Sequence, residues 1–340
     1  MSETIHDISV IICAYTEDRW NDLISAVESV RQQTLPATEI IIVIDHNPDL
    51  LKRVQDQIQD VIVIENTGAS GLSDARNSGI AVSSSHIIVF LDDDAVATPD
   101  WLRLLNKVFS DPQVLGAGGP VLPLWSNTEP AWLPEEFRWV VGCTYRGMPQ
   151  TAQMIRNPIG ANISFRREVF DTVGGFRSEI GRIGTRPLGC EETELCIRAR
   201  KCWPQRGFLY QPEALVFHRV PASRTSWRYF FSRCYSEGLS KALVSRYVGI
   251  KDSLTSEHIY TFRTLPQGVI RGLIDGLFHR DLGGFARAAA IITGLVVTTS
   301  GYLSGSAILR ISKSKREFVT GVVIRRNSEA SPSLNTRTGS

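Results

Sequence analysis

The sequence predicts an α/β protein built on a doubly wound, mostly parallel sheet, with a helical, partly apolar C-terminal extension. Three observations predict this. Near-continuous apolar runs recur at residues 8–13, 40–44, 61–64 and 87–91, as expected of strands covered on both faces. Amphipathic stretches at 22–33, 50–59 and 72–82 separate them, so strand and helix alternate as in crossover units. From Ala288 to Leu309 no residue is charged, enough for a helix of about 33 Å.

Each element follows in order. The four apolar runs are the expected strands, and the stretches between them the covering helices. From 115 to 154 the pattern loosens. Pro120, Pro123, Pro130, Pro134 and Pro149 interrupt it, with Trp125, Trp132 and Trp139 between them, so a long, partly extended excursion is expected. Regular structure resumes at 157–167, followed by a helix over 191–201 and short strands at 208–210 and 215–217. Within the 191–201 helix, Glu194 and Arg198 are spaced to pair along one face. The uncharged segment after Ala288 is long enough to cross a hydrocarbon core of about 30 Å. Its Ser, Thr and Gly content makes it only moderately apolar. Arg271, His279, Arg280 and Arg287 flank apolar stretches before it, a distribution suited to an anionic leaflet. A spanning, re-entrant or surface-lying helix is expected. The expected division is 1–240 as the globular domain, 241–326 as a helical membrane-associating region, and 327–340 as a Ser/Thr/Asn-rich disordered tail.

Composition excludes several classes. Apolar residues make up 43% and charged residues 21%, so wholesale disorder is ruled out. The formal net charge is +2, which argues against a polyanion-coating protein, and no nucleic-acid partner is expected. The six cysteines form no C-x-x-C pair and read as buried thiols of a reducing compartment. No secretory n-region or h-region opens the chain, so the expected location is cytoplasmic.

The chemistry concentrates at Asp92, Asp93 and Asp94, which follow directly on an apolar strand. Adjacent carboxylates repel one another unless a cation or donors compensate them. Hard oxygen ligands at a strand end suit Mg²⁺ or Mn²⁺, which in turn would bridge a diphosphate. A solvated turn capping the next helix is the simpler alternative, but Asp100 already stands at that helix start. No G-x-G-x-x-G follows the first strand and no G-x-x-x-x-G-K-[ST] occurs, so neither a dinucleotide fingerprint nor a P-loop is present.

Six segments in order, VIICAY, EIIIVID, GLSDARNSG, FLDDDA, GANISFRREVFDTVGGF and GCEETELCIRAR, give the chain its resemblance to family 2 glycosyltransferases of the GT-A fold. The likeness covers about residues 8–240. It implies an inverting transferase that moves one sugar from a nucleoside-diphosphate sugar, with UDP as carrier, to a hydroxyl of a glycan or lipid-linked saccharide. By matching position it places the nucleotide at Ala14, Tyr15, Asp45, Arg76, Asn77, Asp92 and Asp93, and the metal at Asp94, Asp92 and His218. The sugar and acceptor pocket falls at Gly160, Ala161 and Asn162, the diphosphate at Arg233, and the catalytic base at Glu192, with Glu191 as the alternative. The family commonly carries Glu-Asp where this chain has Glu191-Glu192. Plain structural roles stand beside several of these: Asp45 as a turn residue, Arg76 paired with Asp74 or a neighbouring acid, His218 as a satisfied core histidine, and the glutamates as macrodipole partners.

Cys234 and Tyr235 follow Arg233 where processive relatives carry an Arg-Arg-Trp-like run, which favours single-sugar transfer. The pattern is closest to bacterial and archaeal enzymes acting on lipid-linked sugars, including glucuronosyl transfer to a dolichyl-phosphate sugar. That placement implies work at the cytoplasmic face of a membrane. A nucleotidyltransferase and a non-catalytic sugar-nucleotide-binding protein are the rival readings.

Overall fold

Strand β1 (Ile8–Ala14) lies between β2 (Glu39–Ile44) and β4 (Ile87–Asp92), parallel to both. The computed structural model describes residues 6–182, 188–249 and 257–328. Its main sheet has the order β3-β2-β1-β4-β9-β6-β10-β8. The remaining members are β3 (Ile62–Glu65), β6 (Val114–Gly118), β8 (Gln153–Ile155), β9 (Asn162–Arg166) and β10 (Gly207–Tyr210). The order reverses beside β1, where strands with shared direction point their carboxyl ends at one crevice.

Alternation along β1 divides the core into two layers. Val10 and Ile12 face helices α1 (Trp20–Arg31), α2 (Pro48–Gln57) and α4 (Trp101–Val108), through Leu23, Val27, Leu50, Val54 and Leu102. Ile11 faces α3 (Leu72–Val82), α5 (Arg167–Val173) and α6 (Glu191–Cys202), through Ala75, Val169, Phe170 and Leu195. Phe90, Phe165, Phe170 and Phe176 meet edge to face in this second layer.

The predicted strands and helices form within a few residues of the expected places, with three corrections. Strand β3 is not buried on both faces: it ends the sheet, and Ile62 is 41% exposed. Asp100 makes no cap; its carboxylate accepts from Thr34 and Arg103 instead. Cys202, the last residue of α6, is exposed, although none of the six cysteines is in a disulfide.

The excursion after β6 contributes β7 (Val121–Trp125), which joins β5 (Ala95–Ala97) and β11 (Val216–Val220) in a small second sheet. A 3₁₀ segment, Glu135–Val141, then wedges Phe137 and Val140 against the C-terminal helices.

Helix α7 (Trp227–Val248) runs without a break through position 240. A π-helical turn, Tyr260–Thr264, leads into α8 (Leu265–Phe278), and α9 (Leu282–Ser328) returns against both α7 and α8. The expected tail over 327–340 lies outside the described residues from 329 onward. Within α9, Leu282–Ile311 has a mean hydropathy of 1.5, and only 28% of its apolar window is buried in the protein. Phe262, Ile270, Leu277, Phe278, Leu282 and Leu303 are all more than half exposed. Of the flanking basic residues, Arg271 pairs with Glu136, Arg287 with Asp275 and Asp281, and His279 with Asp275. Most of that charge is therefore answered within the chain, and the exposed apolar face is the more distinctive feature.

Close approach of α7 and α9 depends on glycine. A Cβ at Gly238 would collide with the backbone of Thr298 and Tyr302, and one at Gly301 with the Tyr235 carbonyl. Gly238→Ala is expected to cost about 1–3 kcal/mol through overpacking. A lower Tm and faster proteolysis within the C-terminal helices would register it.

Candidate active site

The strand ends and helix starts of the switch point carry the titratable groups. Asp92 ends β4, and the turn after it aims Asp93 and Asp94 inward, where they are 3% and 6% exposed. The small sheet brings in His218, because β11 pairs antiparallel with β5 and sets His218 opposite Ala95. His218 Nε2 lies 3.1 Å from Asp94 Oδ1. Arg19 Nη1 lies 2.7 Å from Asp93 Oδ1 and 3.2 Å from Asp94 Oδ2, and Arg224 Nη2 is 3.4 Å from Asp94 Oδ2.

Ligand atoms of Asp92, Asp94 and His218 all lie within 4.8 Å of one another. Two carboxylates and an imidazole are a donor set that fits Mn²⁺ or Mg²⁺, the nitrogen favouring Mn²⁺. Asp93 Oδ2 is buried without a hydrogen-bond partner, a further acceptor at the same place.

These surroundings move the protons. Burial would raise the Asp94 carboxyl, but His218, Arg19 and Arg224 outweigh it and hold it well below the usual range. Burial raises Asp93 to about 7, with Arg19 opposing and Asp94 adding to the shift. Burial lowers His218, yet its contact with Asp94 prevails and lifts it to about 10.

On the other side of the crevice, Arg76 of α3 is 2% exposed and lies among three acceptors. Its Nη1 donates to Glu191 Oε1 at 3.0 Å, and its Nη2 to the Gly160 carbonyl at 3.1 Å and to Asp92 Oδ1 at 3.4 Å. Asp74 is not the partner, since it accepts from Ser178, but the structural pairing with neighbouring acids does form, with Glu191 and Asp92. Arg76 thus ties the β4 terminus to the start of α6, and its guanidinium sits over Phe90 and Phe176. Arg76→Met would leave Glu191 and Asp92 without their shared cation, at a cost of about 3–5 kcal/mol. A drop of that size in the denaturant midpoint, partly restored by Arg76→Lys, is the expected result.

Helix α6 opens at Cys190, whose φ of 72° turns the chain inward, and Glu191 and Glu192 occupy its first turn. Burial, then Glu191, raises Glu192 to about 8. Glu191 Oε2 is buried with no hydrogen-bond partner. The expected Glu194–Arg198 pair forms at 2.7 Å.

A cavity of about 880 Å³ joins Asp92, Arg76, Gly160, Ala161, Glu191, Glu192, His218 and Arg233. Arg233 donates to Glu237 at 3.1 Å. The same cavity is also lined by Arg182 and Arg224 and by Tyr260, Phe262, Leu295 and Tyr302 of the C-terminal helices.

Other predicted residues fall elsewhere. Ala14 and Tyr15 end β1, and their carbonyls accept from the Asp45 N–H and the Asn47 amide. Asp45 is anchored by Asn66, Ser70 and the Gly71 N–H. Asn77 spends its amide on the Phe176 backbone, donating and accepting at 2.8 Å. Asn162 is fully buried, accepting from Trp101 and donating to the Pro120 and Ala214 carbonyls. Neither asparagine lines the cavity. The space at Gly160 admits Arg76, since a Cβ there would lie 3.2 Å from Nη2. Arg19, Arg182 and Arg224 were not singled out in the sequence. The only signal was an arginine soon after a strand end in two of the three cases.

A family model described as glycosyl transferase family 2 matches residues 9–174. The chain is 35% identical over 241 residues to the glucosyl-dolichyl phosphate glucuronosyltransferase of Haloferax volcanii, covering 70% of this chain and 77% of that one. It is 25% identical over 246 residues to the succinoglycan biosynthesis protein ExoM of Rhizobium meliloti, covering 70% and 74%. Among solved structures it resembles the mannosyltransferase PcManGT of Pyrobaculum calidifontis in complex with GDP-Man and Mn²⁺. That match has a TM-score of 0.54 at 15% identity and covers 87% of each chain. GalNAc-T7 with UDP, GalNAc and Mn²⁺ superposes with a TM-score of 0.50 at 17% identity, over 70% of this chain and 48% of that one.

Proposed function

This chain belongs to glycosyl transferase family 2, with the GT-A fold, and on that premise we propose that it transfers one sugar, with inversion, from a UDP-sugar to a hydroxyl of a lipid-linked saccharide. The cavity carries the proposal. Its lining brings together the carboxylates Glu191 and Glu192, the arginines Arg182, Arg224 and Arg233, and Tyr260, Phe262, Leu295 and Tyr302. A molecule with a sugar hydroxyl, a phosphate and a hydrocarbon chain meets chemistry complementary to each part in one cavity. The Haloferax relative is named for glucuronosyl transfer to a glucosyl-dolichyl phosphate, and we extend that donor and acceptor class to this chain.

Asp92, Asp94 and His218, the last in its neutral form, would hold Mn²⁺ or Mg²⁺, with Asp93 supporting the turn. When bound, the cation supplies positive charge that offsets the charge developing on the departing diphosphate. Ala14, Tyr15 and Asp45, at the ends of β1 and β2, would take base and ribose, while Asn77 and Asn162 position the elements around them. Glu192 accepts the proton of the attacking hydroxyl. A carboxylate lifted to about 8 is a better proton acceptor than an ordinary one, near the value general-base catalysis favours. Glu191 is held by Arg76 and fixes the start of α6. Arg233 and Arg224 lie where a phosphate would pass.

The division at 240 and 326 is proposed on the same grounds. Residues 1–240 carry the chemistry, and 241–326 meet the cytoplasmic face of the membrane through the exposed apolar side of α8 and α9.

Purified full-length chain, Mn²⁺, a panel of nucleotide sugars including UDP-glucuronic acid, and polyprenyl-phosphate glucose test the reading. Sugar transfer with UDP release is the expected result. Pyrophosphate release would indicate nucleotidyl transfer, and binding without turnover a non-catalytic protein.

A further inference from the structure

One nitrogen of Arg19 serves two buried carboxylates at once, at 2.7 Å from Asp93 and 3.2 Å from Asp94. Asp94 is also one of the three residues grouped to hold a cation, so guanidinium and metal compete for the same oxygens. Asp94 has other cationic neighbours, His218 and Arg224, but they are fixed differently. His218 is locked in β11, and Arg224, on the 3₁₀ turn Ala222–Thr225, is 8% exposed and lies farther from Asp94, at 3.4 Å. Arg19 ends the short 3₁₀ turn Glu17–Arg19 between β1 and α1, with its guanidinium 5.5 Å from the Tyr15 ring. It has a second acceptor to keep, because Asp93 is both its closer partner and retains an unpaired oxygen.

We infer that Arg19 is an internal counter-ion, which competes with the divalent cation for Asp94 and is retained by Asp93 when the cation binds. The inference rests on the proposed metal site and names a residue that sets its affinity. Arg19 is a positioning residue: it holds two like charges together and limits how tightly the cation is taken.

Direct titration of Mn²⁺ into the full-length chain by calorimetry tests this, using wild type, Arg19→Met, Arg19→Lys and a charge control, Arg31→Met. Removing a cation that shares Asp94 should tighten Mn²⁺ binding about tenfold. Arg19→Lys should stay near wild type, and loss of the exposed Arg31 should change nothing. In chelator, Arg19→Met should melt below wild type, and Mn²⁺ should close the gap. Should the methionine variant not fold, Arg19→Gln replaces it with the same expectation. A wild type that binds Mn²⁺ while Arg19→Met binds equally or more weakly overturns the counter-ion role alone. Absence of Mn²⁺ binding in wild type and variants overturns both this role and the metal site.

Discussion

Glu192→Gln will lower sugar transfer by roughly 10²–10⁴-fold, the range supplied by a positioned general base, and will leave the fold intact. The same change should stabilise the protein in mild alkali. In the folded chain the Glu192 carboxyl is lifted from an ordinary 4.5 to about 8, first by burial and then by Glu191. A folded-state value above the unfolded one means that the native chain binds this proton more tightly. Stability therefore declines as pH rises from about 4.5 through about 8, where the native state must ionise a half-buried group. Glutamine removes that titration, so its Tm should match wild type near pH 5 and exceed it above pH 8. Wild-type activity should rise with pH through the same region, as Glu192 ionises. Thermal melts and rates across pH 5–9 would check both; an active glutamine variant would return the base to Glu191.

Asp94→Asn should be as damaging and should differ in kind. The carboxylate it removes is the common partner of His218, Arg19 and Arg224. Its loss leaves Arg224 without this partner, Arg19 with Asp93 alone and His218 without the contact that keeps it protonated, so a lower Tm is expected along with a loss of transfer of about 10³-fold. Asp92→Asn separates the two effects. Asp92 is more exposed and shares its cation, Arg76, with Glu191, so the fold should tolerate it while Mn²⁺ affinity falls. Calorimetry with Mn²⁺ and melts in chelator distinguish a lost ligand from a lost structure.

Much of this arrangement is legible in the sequence because burial on both faces leaves a plain record. The runs that became β1, β2 and β4 are apolar almost throughout, Ser9 being the exception, and the three aspartates stand where the last of them stops. What was harder to read follows from geometry that spacing alone does not carry. Arg76 and Asn77 are adjacent on α3, and neighbours on a helix point about 100° apart, so one can face the crevice while the other binds Phe176. Ala161 and Asn162 alternate at the start of β9, which sends the asparagine into the core toward Trp101. Arg19 and Arg224 come from loops far apart in the chain, and only the closed fold brings both to Asp94. Strand β3 reads like its neighbours, but it lies at the sheet edge, where Ile62 meets solvent.

The central claim is that Asp92, Asp94 and His218 bind a divalent cation at the end of β4 so that a nucleotide diphosphate can dock there. Titrating UDP into the full-length chain, with Mn²⁺ present and then with the metal chelated, tests it most directly. Saturable heat in Mn²⁺ that is lost on chelation and in Asp92→Asn is predicted. Equal binding with and without metal, or none in either, would contradict it.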